Sequence, residues 1–227
     1  VDIGDEKEAF VHYLDLGLYF EAFDEFVKRI NPNTDAKGIY KHIKPGKILE
    51  KEGRIENVLT PGQMIIVQIV KEPISTKGSR LTAEISLAGR NIVLLPFAEK
   101  VSVSQKISSK EEKRRLETLV RSILPKNYGA IIRTAAEGKN AAVLDAEVMS
   151  LIEKWENSWK KLAKSKGVQL LFTEYSKTTT ILRDLLNDSF TNIYVNDENI
   201  YEETRKYISL ISPEQEKIVK LYKDKAP

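Results

Sequence analysis

The sequence predicts a mixed α+β fold in three stretches: a β-rich opening, an α/β middle, and a closing alternation of helix and strand. Three observations carry this. Gln63-Met-Ile-Ile-Val-Gln-Ile-Val70 is an apolar, β-branched run set behind the turn dipeptide Pro61-Gly62. Ser109-Lys-Glu-Glu112 is a capping box, and Leu116, Leu119, Val120 and Ile123 follow it at helical spacing. Beyond residue 177, short apolar runs alternate with helical stripes, the pattern of an α/β layer.

Taken in order, Val1-Asp-Ile-Gly4 reads as the end of a strand, and residues 15–33 as partly helical. Residues 34–56 are polar and rich in Gly and Lys, so they read as a long loop. The strand at Gln63–Val70 is followed by a loop holding Pro73, Ser75 and Gly78, then by a strand over Leu81–Ile85. Asn91–Leu95 is an apolar strand stopped by Pro96. The capped helix ends before Pro125, and Ala130–Ile132 is a strand. Leu144, Val148, Leu151, Trp155 and Leu162 form the stripe of a longer helix that Gly167 ends, and Leu170–Phe172 reads as a strand. The last stretch predicts a helix over Thr178–Asn187, a strand over Asn192–Val195, a helix over Glu198–Leu210 with Ile200, Tyr207 and Ile208 inward, and a strand over Lys217–Tyr222. The first and last of these strands run off the ends of the chain, so both termini read as cuts through a larger protein.

Composition narrows the function classes. A chain of 227 residues, 41% hydrophobic and 30% charged, is long enough to bury a core. Its net charge of +3 does not by itself imply nucleic acid. Lysine is nevertheless concentrated in Lys37–Lys51 and Lys160–Lys166, runs that serve equally as solvated faces. With no cysteine, disulfide frameworks and thiolate-bound zinc are excluded within the chain, which fits a reducing cytoplasmic setting. Two histidines, His12 and His42, are too few for a histidine metal site, and no apolar run reaches the roughly 18 residues of a membrane span.

The chemistry concentrates at Gly129-Ala-Ile-Ile-Arg-Thr-Ala-Ala-Glu-Gly138. A strand delivers Arg133 and Thr134 to a strand-to-helix junction, where a guanidinium fork, a hydroxyl and nearby backbone N–H groups suit a phosphate. Asp184, Asp188 and Asp197 invite a metal reading. Simpler roles fit them better: Asp184 with Arg183 in an ion pair or a cap, Asp188 at a helix end and Asp197 in a turn.

Several segments then line up in a specific order: Val1-Asp-Ile-Gly4 with Ala9-Phe10, Gly62–Arg90, Ile107-Ser-Ser-Lys110, Ile131–Gly138 and Ile181-Leu-Arg-Asp-Leu185. Together they resemble the ribonuclease E/G family over nearly the whole chain, apart from an insertion at about 13–55. The resemblance implies a partial S1-type OB fold over 1–83 that binds single-stranded RNA, with Phe10 stacking on bases and Lys77 contacting the backbone. It implies a 5′ sensor over 84–177 that grips the RNA 5′-monophosphate with Gly89, Val93, Arg133 and Thr134. Arg133 would supply the fork, Thr134 the hydroxyl, and Gly89 and Val93 their backbone N–H groups. It implies a truncated RNase H-like subdomain, by fold only, over 178–227. Where the family often carries paired arginines, this chain has Gln105 and Lys106, so Lys106 alone supplies a point charge there.

The resemblance further implies that the catalytic aspartates and their magnesium, and a cysteine motif for interprotomer zinc, belong to a part of the enzyme beyond this chain. This chain would then hold no cofactor and would bind RNA without cutting it, while the whole enzyme would be a homo-oligomer. A non-catalytic OB-fold RNA-binding module is the alternative reading. An S1-type barrel lacking its first strands cannot close, so residues 1–60 are expected to be poorly ordered or self-associating.

Overall fold

A computed structural model describes residues 1–44, 49, 52–174, 176–187 and 189–223. The chain forms two compact units, Val1–Phe172 and Thr173–Pro227.

In the first unit, a short strand β1 (Phe10–Val11) and a 3-10 turn lead to helix α1 (Phe20–Arg29). Phe20, Phe23 and Phe26 recur on one side of α1 and are all buried. The opposite side is knitted by Asp24–Lys28 and Glu25–Arg29 pairs one turn apart, at 2.5 and 2.7 Å. Helix α2 (Ala36–His42) follows, where a loop was expected. The polar composition of 34–56 conceals an apolar spacing, Ile39 with Tyr40 and Ile43, that a single helical turn is enough to bury. The Lys-rich run falls partly outside the described residues, at Lys47 and Lys51.

Strands β2 (Gln68–Lys71) and β3 (Arg80–Thr82) pair antiparallel, and β1 pairs parallel with β3, giving the order β1-β3-β2. Among the described residues the strands of this region do not close into a barrel. Only the last three residues of the predicted 63–70 strand lie in β2, and Val1–Gly4 is not a strand. A small core of Leu16, Phe20 and Ala83 lies beneath this sheet.

The second sheet has the order β4-β5-β7-β6, with β4 (Leu87–Ala88), β5 (Ile92–Pro96), β6 (Val101–Val103) and β7 (Tyr128–Ile132). β5 runs antiparallel to β4 and β7, whereas β6 and β7 are parallel, so β6 and β7 finish at the same end. Helix α3 (Lys110–Ile123) is capped as predicted by Ser109, whose Oγ accepts from Glu112 N–H at 3.2 Å. Helix α4 (Ala141–Lys164) is capped by Asn140, and Leu144, Val148, Leu151, Ile152, Trp155 and Trp159 face the core. Leu170–Phe172 is not a strand: no neighbour pairs with it, and Leu170 is exposed.

Within the first 60 residues, α1 and α2 pack into the main core. Phe23, Phe26 and Tyr40 meet Phe97, Tyr128, Trp155 and Trp159 with ring centroids 4.4–6.1 Å apart. Tyr40 locks this packing, because its hydroxyl donates to Asn127 C=O at 2.8 Å and accepts from Phe97 N–H at 3.1 Å. The Asn127 amide nitrogen donates back to the carbonyls of Tyr40 and Ile43, each at 2.8 Å.

The second unit contains helix α5 (Lys177–Leu185), strand β8 (Ile193–Val195), helix α6 (Glu198–Ile211) and strand β9 (Val219–Leu221), with β8 and β9 parallel. The helix–strand alternation is therefore present. Its core is Leu182, Leu186, Val195, Tyr207, Ile208 and Val219. Ile200, expected inward, is exposed on the first turn of α6.

Candidate functional site

The end of the second sheet at which β6 and β7 both finish gathers the polar residues. Arg133 follows β7 directly, and its backbone N–H donates to Asn91 C=O at 2.8 Å. Its guanidinium donates to Gly89 C=O at 2.9 Å. Thr134 opens a 3-10 turn, and its hydroxyl lies 3.1 Å from that of Ser104, which stands just past β6. Parallel pairing of Val103 with Ile132 sets those two hydroxyls side by side. The Ser104 hydroxyl also accepts from Lys106 N–H at 3.3 Å, which fixes the turn carrying Lys106, while Gln105 uses its carbonyl to accept from Lys113 at 3.4 Å.

Gly89 begins the turn between β4 and β5. A Cβ at this position would collide with the Glu147 carboxylate and would lie 2.8 Å from Ile92 O, so only glycine fits. The Gly89 N–H donates to Ile92 C=O at 2.8 Å. Val93 pairs with Ala88 and with Ile131, and ladder alternation, set by the Arg133-to-Asn91 bond, directs its N–H at Ile131. Both backbone amides are thus engaged within the sheet. Gly89 contributes to the site through its carbonyl and its missing side chain, and Val93 through the strand that supports them.

Two carboxylates brace these loops. Glu147 on α4 accepts from Arg90 N–H at 2.5 Å and from Asn91 N–H at 3.1 Å. Burial pushes its carboxyl pKa up, against the opposing pull of Asn91, Arg90 and the Arg133 charge. Glu112 on α3 binds the Arg115 guanidinium at 2.6 and 2.7 Å and accepts from Gly138 N–H at 2.8 Å. Those bonds, with Arg115 first, hold the Glu112 carboxyl down at about 2. Arg115 also donates to Lys139 C=O at 3.0 Å, so the loop after Thr134 is tied to α3.

Ser104 and Glu147 were not singled out in the sequence. Ser104 has no local signal, because it meets Thr134 only through strand pairing. Glu147 had one: an acid three residues after Leu144 and beside Val148, on the otherwise apolar stripe of α4.

Phe10 and Lys77 lie with the first sheet. Phe10 pairs in register with Arg80, is 37% exposed and meets His12 edge-on at 5.5 Å, so it is a surface aromatic. Lys77 is exposed on a turn closed by hydrogen bonds in both directions with Ile74, at 3.0 and 3.1 Å. Arg80, the register partner of Phe10 and three residues past Lys77, is held by Asp15 at 3.0 and 3.1 Å, and this contact draws the Asp15 carboxyl below its ordinary value.

Among the described residues no group of three His, Asp or Glu converges as a metal site, and no helix is long and apolar enough to cross a membrane. Arg183 and Asp184 form the expected ion pair at 3.1 Å. Asp197 is the N-cap of α6, accepting from Ile200 N–H at 2.9 Å, and not merely a turn residue. Asp188 lies outside the described residues.

Comparison with known proteins supplies the context. The chain is 32% identical to Ribonuclease G of Haemophilus influenzae over 227 residues, all of this chain and 42% of that protein. It is 33% identical to a Ribonuclease E/G-like protein of Pyropia yezoensis over 201 residues, 85% of this chain and 39% of that protein. It is 29% identical to Ribonuclease E of a Nostoc species over 209 residues, 92% of this chain and 26% of that protein. The chain thus spans less than half the length of these relatives. The model of the Ribonuclease E/G family matches residues 86–227, which include the whole of the second sheet, and the chain belongs to that family.

Proposed function

We propose that this chain is the RNA-recognition portion of a ribonuclease E/G-type endoribonuclease, holding single-stranded RNA and its 5′-monophosphate while another part of the protein cuts. The observation that carries this reading is the joint end of β6 and β7, where Arg133, Thr134 and Ser104 meet beside the Gly89 turn. A guanidinium already oriented by a backbone carbonyl binds a phosphate with little further ordering, and hydroxyls supply neutral hydrogen bonds beside it. Lys106, on the Ser104 turn, adds a point charge. Gly89 supplies the carbonyl that orients the guanidinium, and Val93 belongs to the strand beneath.

In this reading residues 1–83 form a partial S1-type OB fold, with Phe10 and Lys77 on the RNA path, 84–177 the 5′ sensor, and 178–227 an RNase H-like layer. Capture of the 5′ end raises the local concentration of the RNA at the cutting site. Magnesium for hydrolysis, zinc between protomers, homo-oligomeric assembly and cytoplasmic roles in RNA decay and rRNA processing would belong to the whole protein. Among the described residues no group of three His, Asp or Glu gathers to hold either ion.

The test is binding of a short single-stranded RNA carrying a 5′-monophosphate or a 5′-hydroxyl, with Arg133→Ala as control and circular dichroism to show folding. Preference for the monophosphate, lost in Arg133→Ala, supports the sensor. Equal binding by a folded chain refutes it and leaves a plain RNA-binding module.

A further inference from the structure

The Gly89–Asn91 turn is held from two sides. On one, the Glu147 carboxylate accepts the N–H groups of Arg90 and Asn91 at 2.5 and 3.1 Å. On the other, the carbonyls of Gly89 and Asn91 accept from Arg133, from its guanidinium at 2.9 Å and its backbone N–H at 2.8 Å. The space a Cβ at Gly89 would need is taken by the same carboxylate.

We infer that Glu147 is a positioning residue: its carboxylate fixes the Gly89–Asn91 turn, and the turn in turn aims the Arg133 guanidinium. A flexible arginine samples many rotamers, and much of the selectivity of a charge-assisted fork comes from having that freedom removed beforehand. Placing a carboxylate in partly buried surroundings is unfavourable unless hydrogen bonds compensate, and two adjacent backbone N–H groups do so here. The direction of the Glu147 pKa shift agrees, since burial dominates and the turn amides oppose it. An apolar residue at this position of α4 would offer the turn amides no acceptor.

This inference rests on the 5′-sensor reading, and its test separates the two. The full 227-residue chain is compared with Glu147→Gln, Glu147→Ala, Arg133→Ala and the Arg133→Ala/Glu147→Gln double variant. Two readouts are taken: the affinity ratio for 5′-monophosphate over 5′-hydroxyl RNA, and the Arg133 Nε–H signal by nitrogen-15 NMR without RNA. Glu147→Gln is expected to reduce the ratio about tenfold, by analogy with the roughly 10-fold lower bound for losing the partner that orients a metal ligand. Affinity for 5′-hydroxyl RNA should stay unchanged, the ordered Arg133 Nε–H signal should be lost, and the double variant should be no worse than Arg133→Ala. If the parent chain discriminates but both Glu147 variants keep its ratio, or weaken both RNAs equally, the inference is overturned and the sensor stands. If the parent chain shows no preference, the sensor reading falls. The NMR signal then decides alone: its persistence in Glu147→Gln and Glu147→Ala overturns positioning, and its loss upholds it.

Discussion

Replacing Tyr40 by phenylalanine removes one oxygen from the centre of the first unit and leaves every ring contact in place. That oxygen donates to Asn127 C=O at 2.8 Å and accepts from Phe97 N–H at 3.1 Å, and Tyr40, Asn127 and Phe97 are 2%, 2% and 0% exposed. Water has no route to either orphaned backbone group. Each buried group left without its partner is unfavourable by about 1–3 kcal/mol, so the pair predicts a loss of roughly 2–6 kcal/mol, with no cavity contribution because the ring remains. For a unit of this size that is a fall in Tm of roughly 4–24 °C. Burial pushes the phenol pKa well above 10.0, so the group stays a neutral donor and the difference should not vary between about pH 6 and 9. Urea unfolding followed by fluorescence and by circular dichroism measures it. A loss below about 0.5 kcal/mol would mean that α2 does not depend on this bridge and that the helix is a surface attachment.

Phe10→Ala should weaken binding of single-stranded RNA by about 1–3 kcal/mol, the worth of one stacked base, while hardly moving Tm; an equal fall in stability would return Phe10 to the core. Lys106→Ala should lower the slope of log affinity against log salt by about 0.7 for RNA with a 5′-monophosphate, and an unchanged slope places Lys106 away from phosphate. Glu112→Gln should destabilise the chain at neutral pH but not in strong acid. The folded-state pKa of Glu112 lies at about 2, below its ordinary 4.5, so its contribution is complete above about pH 4.5 and fades as pH falls toward about 2. Melting curves of both proteins should converge over that window, and a gap that stays constant would show that the Arg115 and Gly138 contacts do not depend on charge.

What was legible in the sequence was local. The Ser109 cap, the α4 stripe from Leu144 to Trp155 and the strand leading into Arg133 each depend on residues a few positions apart, and each is present in the fold. What was missed depends on distant partners. α2 looked like loop because its lysines and glycine face outward, and the face that matters is completed by Phe97 and Trp159 far along the chain. Leu170–Phe172 has strand composition but no strand beside it. At the candidate site Arg133 and Thr134 could be read from a strand-to-helix junction, whereas Ser104 reaches Thr134 only because β6 runs parallel to β7. Glu147 reaches the Gly89 turn only because α4 packs across β5.

The aromatic junction also determines what light reports about this molecule. The chain has two tryptophans, Trp155 and Trp159, and both are buried one turn apart on α4 against rings from α1 and α2. Intrinsic tryptophan emission is therefore a single-region probe. It follows the seating of the 13–55 insertion on α4, and it is silent about Thr173–Pro227, where the only native fluorophores are tyrosines. An unfolding trace recorded by tryptophan and one recorded by far-ultraviolet ellipticity would coincide only if the two units melt together, so overlaying the two curves counts the cooperative units of the chain.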